Sequence, residues 1–197
     1  WDNVVLWEEG DEGLPKGENV VGRVRSVSFN MINTKESVPQ EVHYLTYVES
    51  LTFFGNSNTA TKSITLEDDV CGLKYLKSLT VSAYGLSAIA DNLVQLGDRL
   101  ETLDLSSNNF NSVPSIITKE NFPKLKSLNL IGNRRSVISD LRNAKDPVKY
   151  PDGIGLFFNT KDDNTLRRLF MWDNLEELRL SYNFIEAVSY THLTLPT

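Results

Sequence analysis

The side chains that most often carry out catalysis are scarce in this chain of 197 residues. It holds two histidines, His43 and His192, and one cysteine, Cys71. A serine hydrolase needs a histidine within hydrogen-bond reach of a serine and a carboxylate. His43 lies beside Tyr44 in a helical segment predicted to face away from the serine-rich strands, so we expect a surface or packing role for it. The single cysteine excludes an internal disulfide framework and a zinc site built on cysteine pairs. The sequence therefore predicts no catalytic residue and no enzyme.

Paired acids and glycines give no better indication of a metal or cofactor site. Asp68-Asp69 and Asp162-Asp163 resemble calcium ligands in type, but neither pair fits an EF-hand loop. We interpret them as solvated acids in turns. The glycines of the segment 153–155 lie inside a predicted strand, outside any phosphate-binding Gly-Lys-Ser/Thr run. We predict no metal and no cofactor.

The overall composition excludes two further classes of protein. A formal net charge of -6 argues against a nucleic-acid partner, which requires a basic stripe. No apolar run approaches the roughly 20 residues that a membrane-spanning helix needs. With 40% hydrophobic residues, the chain has enough apolar side chains for a continuous core.

A repeated pattern, Leu-x-x-Leu-x-Leu-x-x-Asn, supplies the elements that would position functional side chains. Six copies are visible directly, and they start at Val24, Val48, Leu76, Leu100, Leu125 and Leu175. Leu125 and Leu175 are 50 residues apart, about twice the other intervals. The sequence therefore predicts a degenerate seventh copy near residue 151, carried by Ile154, Leu156 and Asn159.

Alternation within each copy predicts a short strand with its fourth and sixth residues pointing inward. The final Asn has an amide that both donates and accepts, as the turn leaving a strand requires. We predict a right-handed α/β solenoid, with parallel strands on the concave face and short helices or 3₁₀ turns on the convex face. Its structural Asn ladder would consist of Asn56, Asn108, Asn133, Asn159 and Asn183. Ile32 and Tyr84 occupy the Asn position of two copies, and we expect local irregularity there.

The concave face is the predicted ligand-binding surface. Its outward positions in the first four copies are mostly serine and threonine, which make a flat, adaptable surface. Apolar and charged residues flank these hydroxyls, and the predicted binding residues are Phe54, Ile131, Phe157, Phe158, Arg179 and Tyr182. Exposed aromatic side chains are typical of binding hot spots. The alternative for Phe157 and Phe158 is packing against the segment 134–150 or against later coils.

From about residue 20 to 187 the chain resembles the leucine-rich-repeat family, whose copies are about 20–29 residues long. Trp1-x-x-Val4 followed by Gly22-Arg23-Val24 resembles the opening of repeat arrays in bacterial surface proteins of the Bacteroides type and in plant receptors. The resemblance implies a capping segment over residues 1–23, repeats over 24–187 and a concave sheet that binds proteins, peptides or glycans. Residues 188–197 resemble a translated sequencing adapter, and we expect them to be non-native.

These observations favour a non-catalytic recognition module of a bacterial protein, located at the cell surface or secreted. The acidic charge balance and the lack of disulfides agree with that expectation. One alternative is the ligand-sensing region of a cytoplasmic signalling protein. Another is an accessory binding domain of an enzyme whose catalytic part lies outside this chain.

Overall fold

The computed structural model describes residues 3–17, 19–32, 36–56, 62–133 and 165–183. The chain between strands repeatedly returns to one sheet, so that successive copies stack their strands side by side. This sheet has seven described strands in the spatial order β1 (Val4–Leu6), β2 (Val24–Ile32), β3 (Ser50–Gly55), β5 (Ser78–Ser82), β7 (Thr102–Asp104), β8 (Ser127–Asn129) and β9 (Glu177–Arg179). All pairings are parallel except that of β1 with β2.

The apolar alternation fixes the register of these strands. Leu51, Leu79, Leu103 and Leu128 are Cα partners across successive strands, and each is at most 2% exposed. Because side chains alternate across a strand, a shift by one residue would turn every one of these leucines toward solvent. The predicted parallel-stranded solenoid is confirmed.

The pairing of β8 with β9 leaves no place between them for a strand of the predicted seventh copy. Leu128 is the direct Cα partner of Leu178, so no strand lies between them. Six of the predicted copies therefore contribute strands to the described part of this sheet. The interval of 50 residues is compatible with direct pairing of β8 with β9 and with an additional coil between them. Ile154, Leu156 and Asn159 lie outside the described residues, as does the segment 188–197.

Short helices form the convex side, as the apolar spacing predicts. Three are 3₁₀ helices, Gln40–Tyr44, Asp68–Val70 and Asp91–Leu96, and α1 spans Thr165–Phe170. The segment that starts at Val113 forms a turn instead, closed by the Ile117 N–H donating to the Pro114 carbonyl at 3.0 Å. Within the described part of the chain, no helix is long and apolar enough to cross a membrane.

A second, two-stranded sheet flanks the main one. It pairs β4 (Ile64–Leu66) with β6 (Leu86–Ile89) in parallel. Ile64, Leu66 and Leu86 are buried in the same core as the strand leucines. The sequence pattern did not predict this sheet.

The N-terminal segment covers the start of the sheet. Its strand β1 pairs antiparallel with β2. Trp7 is 1% exposed, and its indole N–H donates to the Tyr47 carbonyl at 2.9 Å. The Arg25 guanidinium lies 4.5 Å from the centre of the Trp7 ring, at cation–π distance.

Candidate functional site

The turn that ends each strand is held by a buried asparagine in three of the described copies. The Asn108 side-chain oxygen accepts hydrogen bonds from the N–H groups of Tyr84, Gly85 and Leu86, at 2.9, 3.1 and 3.2 Å. Its amide nitrogen donates to the carbonyls of Val81 and Leu105. One side chain therefore forms hydrogen bonds to five backbone groups of the turn.

Asn133 and Asn183 continue this arrangement in the next two copies. Both amide nitrogens donate to the Leu130 carbonyl at 2.8 Å, and the Asn183 oxygen accepts from the Asn133 N–H at 2.9 Å. Asn56 differs, because it is only half-buried and its side chain donates to the Met31 carbonyl at 3.4 Å. Asn159 lies outside the described residues.

The two copies without an asparagine differ from each other. At Ile32 the pairing of β2 with β3 shifts register, so the expected irregularity is present. Tyr84 interrupts no pairing of β5. Its ring is fully buried, and its hydroxyl donates to the Ser37 carbonyl at 3.1 Å. A large side chain thus fills the position where the amide would otherwise lie.

The residue before the Asn position adopts a left-handed backbone in most copies. These residues are Met31 (φ 59°), Ala83 (52°), Ser107 (57°), Gly132 (62°) and Tyr182 (59°). Only glycine takes this conformation without a steric cost, which is about 1–2 kcal/mol for other residues. The fold therefore imposes this turn even where the sequence does not favour it.

The turns align the outward-facing side chains into two rows across the sheet. The first row holds Ser26, Ser50, Ser78, Thr102, Ser127 and Glu177, and the second holds Ser28, Thr52, Thr80, Asp104, Asn129 and Arg179. Neighbouring members of a row are separated by the strand spacing of roughly 4.8 Å. The concave face is thus a regular array of small polar groups that becomes charged toward β9.

The hydroxyls at the start of this array lack partners. Ser50, Thr52, Ser78 and Thr80 are half-buried, and their hydroxyls form no side-chain hydrogen bond to any described residue. At the other end the polar groups bond to each other instead. Ser127 donates to Glu177 at 2.8 Å and Asn129 donates to Asp104 at 2.8 Å. Free hydrogen-bonding capacity is therefore available on β3 and β5.

The predicted ligand-binding residues do not form one cluster. Phe54, at the end of β3, is 41% exposed, whereas Ile131 is half-buried and follows β8, three strands away. Tyr182, after β9, is 78% exposed. Arg179 forms an ion pair with Glu177 at 2.6 Å, and Glu177 has a lowered pKa because Ser127 and Arg179 donate hydrogen bonds to its carboxylate. Phe157 and Phe158 lie outside the described residues.

Beside these rows runs a line of alternating charges that the sequence reading missed. We call it the charge row, and it consists of Arg25, Glu49, Lys77, Glu101, Lys126 and Glu176. Each residue directly precedes a member of the first row. Counting one position back from each strand would have revealed it.

A sequence model of one repeat family matches part of this region. Residues 99–119, which include β7 and the following turn, match the family described as Leucine Rich Repeat. The register, the buried leucines and the asparagine turns extend the same geometry to the neighbouring copies.

The described coils thus have the leucine-rich-repeat fold.

Solved structures with partial similarity to this chain come from plants and a bacterium. A plant ice-binding protein is 24% identical, with a TM-score of 0.45 over 68% of this chain and 38% of that one. The ectodomain of the receptor kinase SOBIR1 from Arabidopsis thaliana is 19% identical, with a TM-score of 0.37 over 58% of this chain and 72% of that one. A leucine-rich-repeat protein of Leptospira interrogans is 20% identical, with a TM-score of 0.41 over 78% of this chain and 42% of that one. The match thus spans under half the length of the first and third proteins. No curated protein sequence matches the chain.

Outside the concave face, the histidine and the cysteine of the described residues are engaged in packing and hydrogen bonding. His43 lies on the convex side, where its ring packs on Tyr44 and Nδ1 contacts the Gln40 carbonyl. Burial, together with the nearby charge of Asp68, raises the pKa of the Cys71 thiol to about 11. This thiol is therefore protonated near neutral pH and is a poor nucleophile.

The convex acids line an open cavity of about 680 Å³ between the first two 3₁₀ helices. Its carboxylates are those of Glu36, Glu41, Glu67, Asp68 and Asp69. Asp68 accepts a hydrogen bond from Asn92 at 3.0 Å. No group of three acids, histidines or cysteines in the described ranges has the geometry of a metal site. Asp162 and Asp163 lie outside those ranges.

Proposed function

We propose that the concave face of these leucine-rich repeats binds a protein or peptide ligand, and that the chain acts as a non-catalytic recognition module. The observation that supports this most directly is the set of partnerless hydroxyls on β3 and β5. Solenoids of stacked repeats offer extended concave surfaces of this kind for binding. Because hydroxyls both donate and accept, the array suits the alternating N–H and C=O groups of an extended peptide.

Apolar contacts supply the second part of the proposed surface. Phe54 projects beside the hydroxyl rows and is 41% exposed, while the neighbouring Met31 is 74% exposed. Exposed aromatic and methionine side chains are enriched at protein interfaces. A peptide that bonds to Thr52 and Thr80 would bring an apolar side chain against Phe54.

The location that we propose is the surface of a bacterial cell. The segment from Trp1 to Val24 resembles the opening of repeat arrays in bacterial surface proteins and in plant receptors, and the first of these resemblances supports it. The chain also lacks any cysteine pair whose redox state would tie it to one compartment. Protease treatment of intact cells that express the natural gene tests this location. Loss of the repeats from intact cells is the expected result, and their protection would contradict it.

The ligand surface is tested with random peptides displayed on phage, selected against the purified chain. Thr80→Arg places a long side chain in the middle of the hydroxyl rows and should weaken binding of selected peptides by about tenfold or more. Ser115→Arg makes the same change at an exposed convex position and should leave affinity unchanged. If Ser115→Arg abolishes binding and Thr80→Arg does not, the concave surface is the wrong one. Selection of no peptide, with glycans bound instead on an array, would also overturn the proposed ligand class.

A further inference from the structure

The charge row continues without interruption across all six parallel strands. Its members are direct backbone neighbours, because the N–H of each donates to the carbonyl of the member before it, at 2.7–2.8 Å. The signs alternate at every step from Arg25 to Glu176. Asp11 in the N-terminal segment pairs with Arg25 at 3.3 Å and extends the alternation by one member.

Several members are paired across the strands. Glu49 accepts from Arg25 at 2.9 Å and from Lys77 at 2.7 Å, so its carboxylate bridges two coils. Lys126 pairs with Glu101 at 2.8 Å. Burial raises the pKa of Glu49, but hydrogen bonds from Lys77 and Arg25 outweigh this effect and lower it overall.

The leucine alternation alone does not distinguish neighbouring strands from strands two coils apart. Leu51, Leu79 and Leu103 occupy equivalent positions on strands of similar pattern. A skipped coil, in which β3 pairs with β7, would bring Glu49 beside Glu101, because the alternation has a period of two coils. Like charges directly opposite each other on neighbouring strands are destabilising.

We propose that the charge row selects the stacking order of the coils, by favouring pairing between adjacent coils and opposing pairing between coils two apart. The charge row also distinguishes the two possible arrangements of the 50 residues between Leu125 and Leu175, which are an additional coil or direct pairing of β8 with β9. A coil starting at residue 151 would place Asp152 next to Glu176, whereas direct pairing of β8 with β9 places Lys126 there. Only the observed arrangement preserves the alternation.

Disulfide trapping during refolding tests this selection in the full chain carrying Cys71→Ser. Ser50→Cys with Thr102→Cys reports a skipped coil, because these positions are two strands apart in the native sheet, beyond the roughly 7 Å that a disulfide spans. Ser50→Cys with Ser78→Cys reports native pairing. Each pair is compared in three backgrounds: the natural row, the swap Lys77→Glu with Glu101→Lys, and the neutral Lys77→Gln with Glu101→Gln.

The swap preserves net charge but reverses the expected pairing preference of β3, because Glu49 then faces a glutamate in the adjacent coil and a lysine two coils away. We expect the 50–102 disulfide to increase by about fivefold or more in the swap, with an intermediate increase in the neutral variant. At about 1 M NaCl, where the Debye length is roughly 3 Å, the three should converge. Equal yields in all three backgrounds at low salt, or a difference that persists at high salt, would overturn the proposal. If the swap does not refold, the comparison of the neutral variant with the natural row decides the matter.

Discussion

A single buried asparagine holds the turn in three described copies of this solenoid, and the burial of that residue determines how much it contributes. Asn108 is fully buried and forms five hydrogen bonds to backbone groups. Asn56 occupies the same sequence position, yet its neighbouring copy carries Ile32 and a register shift. The tight turn that would enclose Asn56 is therefore incomplete. Sequence spacing identified both residues but did not separate their roles.

This difference leads to a prediction at the residue scale. Asn108→Ala removes five hydrogen bonds between its side chain and buried backbone groups, so we expect it to lower the free energy of unfolding by about 3–5 kcal/mol. Asn56→Ala removes a long hydrogen bond to the Met31 carbonyl at a half-buried site and should cost less than Asn108→Ala. Urea unfolding followed by circular dichroism measures both. Equal losses would show that the buried amide network does not determine the difference.

At the scale of the strands, apolar and charged side chains have separate roles. The leucines supply burial, and their repetition makes the strands alike, whereas the charge row distinguishes each strand from the next. Glu49 connects these roles, because its side chain is 18% exposed and pairs with cations on both neighbouring strands. Its lowered pKa means that folding favours the ionised carboxylate.

The stability provided by Glu49 should therefore depend on pH. It is present above the unfolded-state pKa of 4.5 and is lost as the pH falls through the lower folded-state pKa. We expect Glu49→Gln to lower the melting temperature near pH 7, corresponding to about 1–3 kcal/mol, and the difference from the natural chain to shrink below about pH 4.5. Thermal melts from about pH 3 to pH 7 measure this difference. Glu120→Gln, at an exposed position outside the charge row, should behave like the natural chain throughout. A deficit for Glu49→Gln that stays constant at low pH would contradict the ionised pairing.

For the whole molecule, the sequence predicted the elements with strong periodicity and missed those without it. The leucine spacing located six strands, because inward residues recur at fixed positions in each copy. It did not reveal β4 and β6, which lie outside the repeated leucine positions. The concave hydroxyls were predicted as a surface, but the strand register was needed to show which of them lack partners. Phe54 and Tyr182 lie far apart on that surface, and the sequence alone did not show their separation.

The predicted seventh coil concerns the length of the solenoid. Spacing of 50 residues suits two ordinary coils, whereas β8 and β9 pair directly. If this pairing is correct, Ser127→Cys with Glu177→Cys should form a disulfide in the folded chain carrying Cys71→Ser, since registered neighbours lie roughly 4.8 Å apart. Thr102→Cys with Glu177→Cys spans two strand spacings and should remain reduced under the same mild oxidation. Mass spectrometry of tryptic fragments identifies the links, and melting curves verify that the chains remain folded. A folded chain in which positions 127 and 177 do not link would restore a seventh coil between them, because an intervening strand would separate these positions by about 9.6 Å.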